Sequence, residues 1–140
     1  MSRQRSTRIT VALAAAMAVG LVGCTASGEL DVFIRDQTDS DALPASAFPG
    51  IGIVATSTRL LWVGDEMTIY AAKGSGDNTG RTCLVMVPEY GGSSAGCGSV
   101  LPVTLGVEGE PTYMLSTIDI DAGSDKWTKV ADHLYVESPQ

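Results

Sequence analysis

The chain has 140 residues, with 16 acidic against 9 basic side chains, a formal charge of −7 and an isoelectric point near 4.4. That balance argues against nucleic acid as a partner, and the length sets one domain as the expectation. His133 is the only histidine, which excludes His-rich zinc sites.

The bases are unevenly placed. Arg3, Arg5 and Arg8 precede an almost wholly apolar run from Ile9 to Val22, and no acid occurs before Glu29. A positive leader, an apolar stretch and small residues at its end are the three parts of a secretory signal. At the end of the run, Leu21-Val22-Gly23-Cys24 resembles the lipobox of bacterial lipoproteins, in which a Leu and two mostly small residues precede a cysteine. The resemblance implies that the Cys24 thiol receives a diacylglyceryl group and that the chain is cut just before it. Cys24 then begins the mature protein, on the outer face of the cytoplasmic membrane. Three other readings compete. A retained transmembrane helix needs about 20 apolar residues, whereas Ile9 to Val22 offers 14. Cleavage near Thr25-Ala26-Ser27 leaves Cys24 without a purpose, and twin-arginine export is opposed by Gln4 between Arg3 and Arg5.

A diacylglyceryl-cysteine supplies two acyl chains. At about 0.8 kcal/mol per buried methylene, two chains anchor stably where one does not. Thr25 to Gly28 then span about 14 Å at full extension, which keeps the folded part near the bilayer. The expected organisation is a signal peptide over 1–23, an anchor and tether over 24–28, a connecting arm over 29–57 and a β domain over 58–140. Residues 24–140 number 117 and keep six bases against all sixteen acids, a formal −10. That charge opposes anionic lipid headgroups as well as nucleic acid, and favours solubility, cationic partners or divalent ions. With Cys24 assigned to lipid, Cys83 and Cys97 remain as a pair in an oxidising compartment and are expected to be bonded. Closing a loop of that length stabilises by about 3 kcal/mol through chain entropy.

Along the arm, Leu30, Phe33 and Ile34 stand at helical spacing and are compatible with one or two helical turns or with extended chain. Asp36, Asp39 and Asp41 break the regularity, and Pro44, Pro49, Gly50 and Gly52 mark a loop. The segment is expected to drape over the domain. From Thr58 onward the pattern is β. Arg59 to Val63 and Met67 to Ala72 flank Gly64-Asp65-Glu66 as a hairpin, and Gly74 to Gly80 is a loop. Thr82 to Val87 is apolar on both faces, as a central strand is, and Ser94 to Gly98 returns beside it. Such a hairpin sets Cys83 opposite Cys97. A further hairpin joins Leu101 to Val107 with Thr112 to Ile120, interrupted by Pro102, and Trp127 to Val130 with His133 to Val136 complete the set. The expected fold is mainly β, a small antiparallel sheet or partly open barrel of six to eight short strands with an N-terminal arm. The alternative is α+β with a short N-terminal helix.

The order Arg59-Leu60-Leu61, Tyr70-Ala71-Ala72, Cys83-Leu84-Val85-Met86-Val87, Ala95-Gly96-Cys97-Gly98 and Trp127 is also similar to small lipoproteins of high-GC Gram-positive bacteria. That resemblance implies a fold and a compartment and brings no activity with it.

Four motifs invite chemistry. Gly92-Ser93-Ser94-Ala95-Gly96 satisfies the Gly-x-Ser-x-Gly elbow, with His133 downstream, but a helix and a large parallel sheet should follow the serine and Cys97-Gly98 follow instead. A small hydrolase using Ser94 and His133 is therefore the alternative function, not the preferred one. Asp119, Asp121 and Asp125 resemble part of a calcium loop, yet Gly123 and Ser124 occupy ligand and glycine positions and Val130 the closing position, which leaves a weak metal candidate. Gly74 to Gly80 lacks the Lys-Ser/Thr of a P-loop. Tyr90, at a hairpin tip, is the aromatic best placed for surface contact. The function expected is a membrane-anchored, non-catalytic binding or interaction domain. Its partners are the bilayer through acylated Cys24 and an envelope protein, and no cofactor is implied.

Overall fold

The structure, a computed structural model, describes residues 29–47, 50–120 and 125–139. The alternating apolar runs form eight strands: β1 (Arg59–Val63), β2 (Met67–Lys73), β3 (Thr82–Pro88), β4 (Ser94–Gly98), β5 (Val103–Leu105), β6 (Tyr113–Leu115), β7 (Trp127–Ala131) and β8 (Leu134–Glu137). They make two antiparallel sheets of four, ordered β1-β2-β3-β4 and β5-β6-β8-β7. The chain is mainly β, with its strands divided between two packed sheets rather than closed into a barrel. In place of a short N-terminal helix, the arm contains isolated 3-10 turns at Asp31–Phe33, Asp39–Asp41, Ala45–Ala47 and Ala55–Ser57. Single turns of this kind suit a segment whose Asp, Ser and Thr side chains bond their own backbone instead of extending a helix.

The period of two along β2 and β3 sorts their side chains into two layers. Met67, Ile69, Ala71, Leu84 and Met86 face the second sheet and pack with Val103, Tyr113, Leu115 and Leu134. Tyr70, Ala72, Cys83 and Val85 face the other way, onto Leu43 and Ala47 of the arm, with Ile51 and Ile53 alongside. The arm thus does the draping expected of it, and it explains why β3 is apolar on both faces. Each fully buried Leu or Ile contributes about 1.5–3 kcal/mol. Trp62 joins the sheets at one side, its ring 6.0 Å from that of Tyr113. The slip between Leu60 and Trp62 in the pairing of β1 with β2 makes Leu61 a bulged residue.

Small residues make the corner between sheets. On β4, a Cβ added at Gly98 would lie 2.7 Å from the Val103 side chain, and one at Gly96 would lie 3.3 Å from the Thr104 carbonyl oxygen. Ser-Ala-Gly-Cys-Gly therefore allows β5 to fold beneath β4. Cys83 and Cys97 are directly paired across β3 and β4 and form a disulfide on the arm-facing side.

The arm is fixed to the edge strand by one buried carboxylate. Asp41 is 1% exposed and receives five hydrogen bonds. Arg35 donates through both terminal nitrogens, the Nη2 bond to Oδ1 being 2.8 Å; the Thr38 amide (2.8 Å) and hydroxyl (2.7 Å) donate to Oδ2, and the Leu60 amide (2.7 Å) to Oδ1. The Thr58 hydroxyl donates to the Asp41 carbonyl at 2.7 Å, and Arg59 donates to the Arg35 carbonyl at 2.7 Å through Nη2. An otherwise open edge is thereby partly satisfied.

Candidate functional site

The antiparallel connections give the sandwich two chemically different ends. At one end lie the turns after β1, β3 and β5, which carry Asp65, Glu66, Glu89, Glu108 and Glu110. The Glu89 amide donates to the Glu66 carbonyl at 2.9 Å and ties two of these turns together. Between the second and third lies a cleft of about 200 Å³ with Met67 and Met86 as its apolar part and Tyr90, Val107, Glu108 and Glu110 around it. Tyr90 is 83% exposed, so the residue singled out as a surface contact is at the surface and beside a cleft. Among the described residues, none of the five carboxylates is paired with a Lys or Arg; Lys126, which the β7–β8 pairing brings to this end, is engaged by Glu137 at 3.7 Å. Burial, with the Glu110 charge adding to it, pushes the Tyr113 hydroxyl above its ordinary range.

The other end holds a larger cleft, of about 640 Å³, lined by Phe33, Val54, Val100 and Leu101 with Glu29, Lys73 and Arg81. Lys73 Nζ pairs with Glu29 Oε1 at 2.7 Å and sits 5.3 Å above the Phe33 ring. Arg81 is exposed, and among the described residues its side chain has no ion-pair or hydrogen-bond partner. Gly74 matches the local geometry here: a Cβ at that position would meet the Asn78 carbonyl oxygen at 2.0 Å, so the chain can close on itself below the Gly76–Asn78 turn only with glycine.

The elbow-like run does not form an elbow. Ser94 begins β4 and pairs with Met86, and a strand follows it. His133 lies in the tight turn between β7 and β8 with φ of 64°, a left-handed conformation unusual for a residue with a side chain. Its ring holds the turn in place: Nδ1 is 3.1 Å from the Ser116 carbonyl oxygen and Nε2 is 2.8 Å from Asp31 Oδ1. Since β4 lies beside β5 and β7 beside β1, the serine and the histidine occupy opposite edges of the sandwich. The fold does not bring them together.

The acidic run after β6 is divided. Asp119 Oδ1 accepts from Lys129 Nζ at 2.8 Å and from the Tyr135 hydroxyl at 3.1 Å, and both donors hold its carboxyl below the usual carboxylate range. A cation is thus already supplied by the chain. Asp125 is exposed, whereas Asp121 lies outside the described residues. Among the described residues no three His, Cys, Asp or Glu side chains converge on one point. Cys24 likewise lies outside the described residues, and among those described no helix is long and apolar enough to cross a membrane.

Sequence reasoning missed Asp41, which it took only as a break in regularity. Its partner Arg35 is six residues away and its other partner strand begins at Arg59, so no local spacing announces it. Three of the turn segments carry acids and no base, but nothing local announces that they gather at one end. No protein-family model matches the chain, and neither does any curated protein or solved structure.

Proposed function

We propose that the chain is an exported lipoprotein, held to the outer face of the cytoplasmic membrane by acylated Cys24, whose β-sandwich is a non-catalytic binding or interaction domain for an envelope protein. The observation that carries this reading is Leu21-Val22-Gly23-Cys24 at the end of an apolar run with arginines before it. The disulfide between Cys83 and Cys97 supports it, because such bonds persist in oxidising compartments. The polar side chains at His133 and Asp41 serve the backbone and the arm, which suits a scaffold. Exposed Tyr90 beside a cleft of mixed polar and apolar lining suits a contact surface, where aromatic residues are enriched.

Growth with radiolabelled palmitate tests the anchor. Label should enter the intact chain and be absent from Cys24→Ala, which should appear in the medium; an unlabelled chain that stays with the membrane overturns the reading. Crosslinking followed by purification from native membranes tests the binding half. An envelope protein should be enriched and should be lost in Tyr90→Ala, whereas recovery of no protein at any salt concentration counts decisively against it.

A further inference from the structure

The two ends differ in more than charge, and the tether enters at only one of them. Glu29 lines the larger cleft and stands five residues after Cys24. The intervening segment reaches about 14 Å, while a compact domain of this size is roughly 30 Å across. A tether that short cannot pass around the body, so the end bearing Glu29 must stay toward whatever holds Cys24. That end also presents aliphatic side chains to solvent. Val100 is 80% exposed and Ile118 is 71% exposed, next to Thr117 at the cleft wall, with Val54 beside them.

We propose that the domain lies on the bilayer by this end, with Val54, Val100 and Ile118 seated at the headgroup boundary of the phospholipid surface and Arg81 beside the phosphates. The proposal rests on the lipid anchor and gives it an orientation. Charge favours the same arrangement. Near the tether, Glu29 is paired with Lys73, Asp31 lies against His133, and Asp119 and Asp132 share Lys129. Asp77 shares a hairpin turn with Arg81, while Asp36 and Asp39 of the arm are exposed without an ion pair among the described residues. At the opposite end Glu137 is paired with Lys126, while the five turn carboxylates are unpaired among the described residues. Pressing unpaired carboxylates against a low-dielectric surface costs far more than pressing paired ones. The negative potential of an anionic leaflet also repels the opposite end outward, with about 1 kcal/mol per charge near the surface and decay within a Debye length. Exposed Val63, Tyr90 and Val107 are apolar too, but they stand among those carboxylates.

Depth-dependent quenching tests this. The full chain, purified from membranes and reconstituted into vesicles of phosphatidylcholine and phosphatidylglycerol containing spin-labelled lipid, carries an environment-sensitive fluorophore at one of four exposed positions. I118C and V54C report the tether end, V63C and E108C the other; without reductant the native disulfide takes no label. Quenching of the first two should exceed that of the second two at least threefold. Equal quenching, or more at V63C and E108C, overturns the orientation. Flotation of the unlabelled chain separates this failure from that of the anchor: a chain that floats but shows equal quenching keeps the anchor and loses the orientation, and one that does not float loses both.

Discussion

The two sheets are built alike and protected differently. The first has strands of up to seven residues, is apolar on both faces, and is covered on its outer side by an arm that contributes Leu43 and Ala47. The second has strands of three to five residues, and on its outer side the segment from Ser116 to Ile120 is bonded to Tyr135, which stands beside Met114. Its fastening is the Tyr135 hydroxyl, which accepts from the Ile120 amide at 3.1 Å and donates to Asp119, itself paired with Lys129 at the surface. A buried carboxylate with five donors and a disulfide hold the first cover and its sheet, whereas one phenol and an exposed ion pair hold the second. Buried, fully satisfied polar groups fix structure in a way that solvent-screened pairs do not.

That contrast can be broken at graded cost. Replacing the disulfide by Cys83→Ala with Cys97→Ala should lower unfolding free energy by about 3–4 kcal/mol, the loop entropy together with the volume lost at a fully buried site, as read from urea unfolding. Asp41→Ala should cost about 3 kcal/mol, the low end for a broken buried pair because Arg35 is half-exposed, and should raise amide exchange along both the arm and β1. The same carboxyl predicts a pH dependence. Arg35 first, then the Thr38 and Leu60 donors, hold it well below the usual carboxylate range, so the unfolded chain binds the proton more readily. Its contribution is complete above the unfolded value, about pH 3.9, and is lost as pH falls from there toward the folded value. The urea midpoint should therefore drop more steeply below pH 4 in the natural chain than in Asp41→Asn; parallel curves would remove Asp41 as the cause. Tyr135→Phe should cost about 1 kcal/mol and loosen only the segment from Ser116 to Ile120. Lys129→Gln should leave the urea midpoint unchanged, since both partners of its pair are surface groups.

Much of this architecture is legible because strands announce themselves by period and by turn residues. Arg59 to Val63 and Ser94 to Gly98 match the observed strands, and Met67 to Lys73 and Thr82 to Pro88 extend the expected ones by a single residue. The next two runs are shorter than their apolar content suggests. Pro102 delays β5 to Val103, and β6 stops at Leu115 because the Ser116 hydroxyl bonds the backbone of Ile118 and turns the chain. The division into two sheets was not legible. It depends on how closely Gly96 and Gly98 let β5 approach, a fact about distance and not about pattern. Of the candidate site, Tyr90 was legible from its place between Glu89 and Gly91 at a hairpin tip. The separated ends were not, because they arise only once three turns are gathered on one side.

Leu30 takes on a mechanical meaning in this arrangement. It is fully buried in the core between the sheets, and along the arm the next residues held are Asp31, against His133, and then the Arg35–Asp41 pair on Leu60. A pull on Glu29 would load its exposed ion pair with Lys73 and the Leu30 plug first, the Asp31–His133 contact next and the Asp41 knot after them, with the disulfide-closed strands behind all of these. The arm then works as a graded fuse: behind the Asp41 knot, Leu43 and Ala47 seated on β2 and β3 and the bridge of Ile53 to Gly74, with the Val54 amide on the Lys73 carbonyl, must give way before residues 31–58 are free to extend.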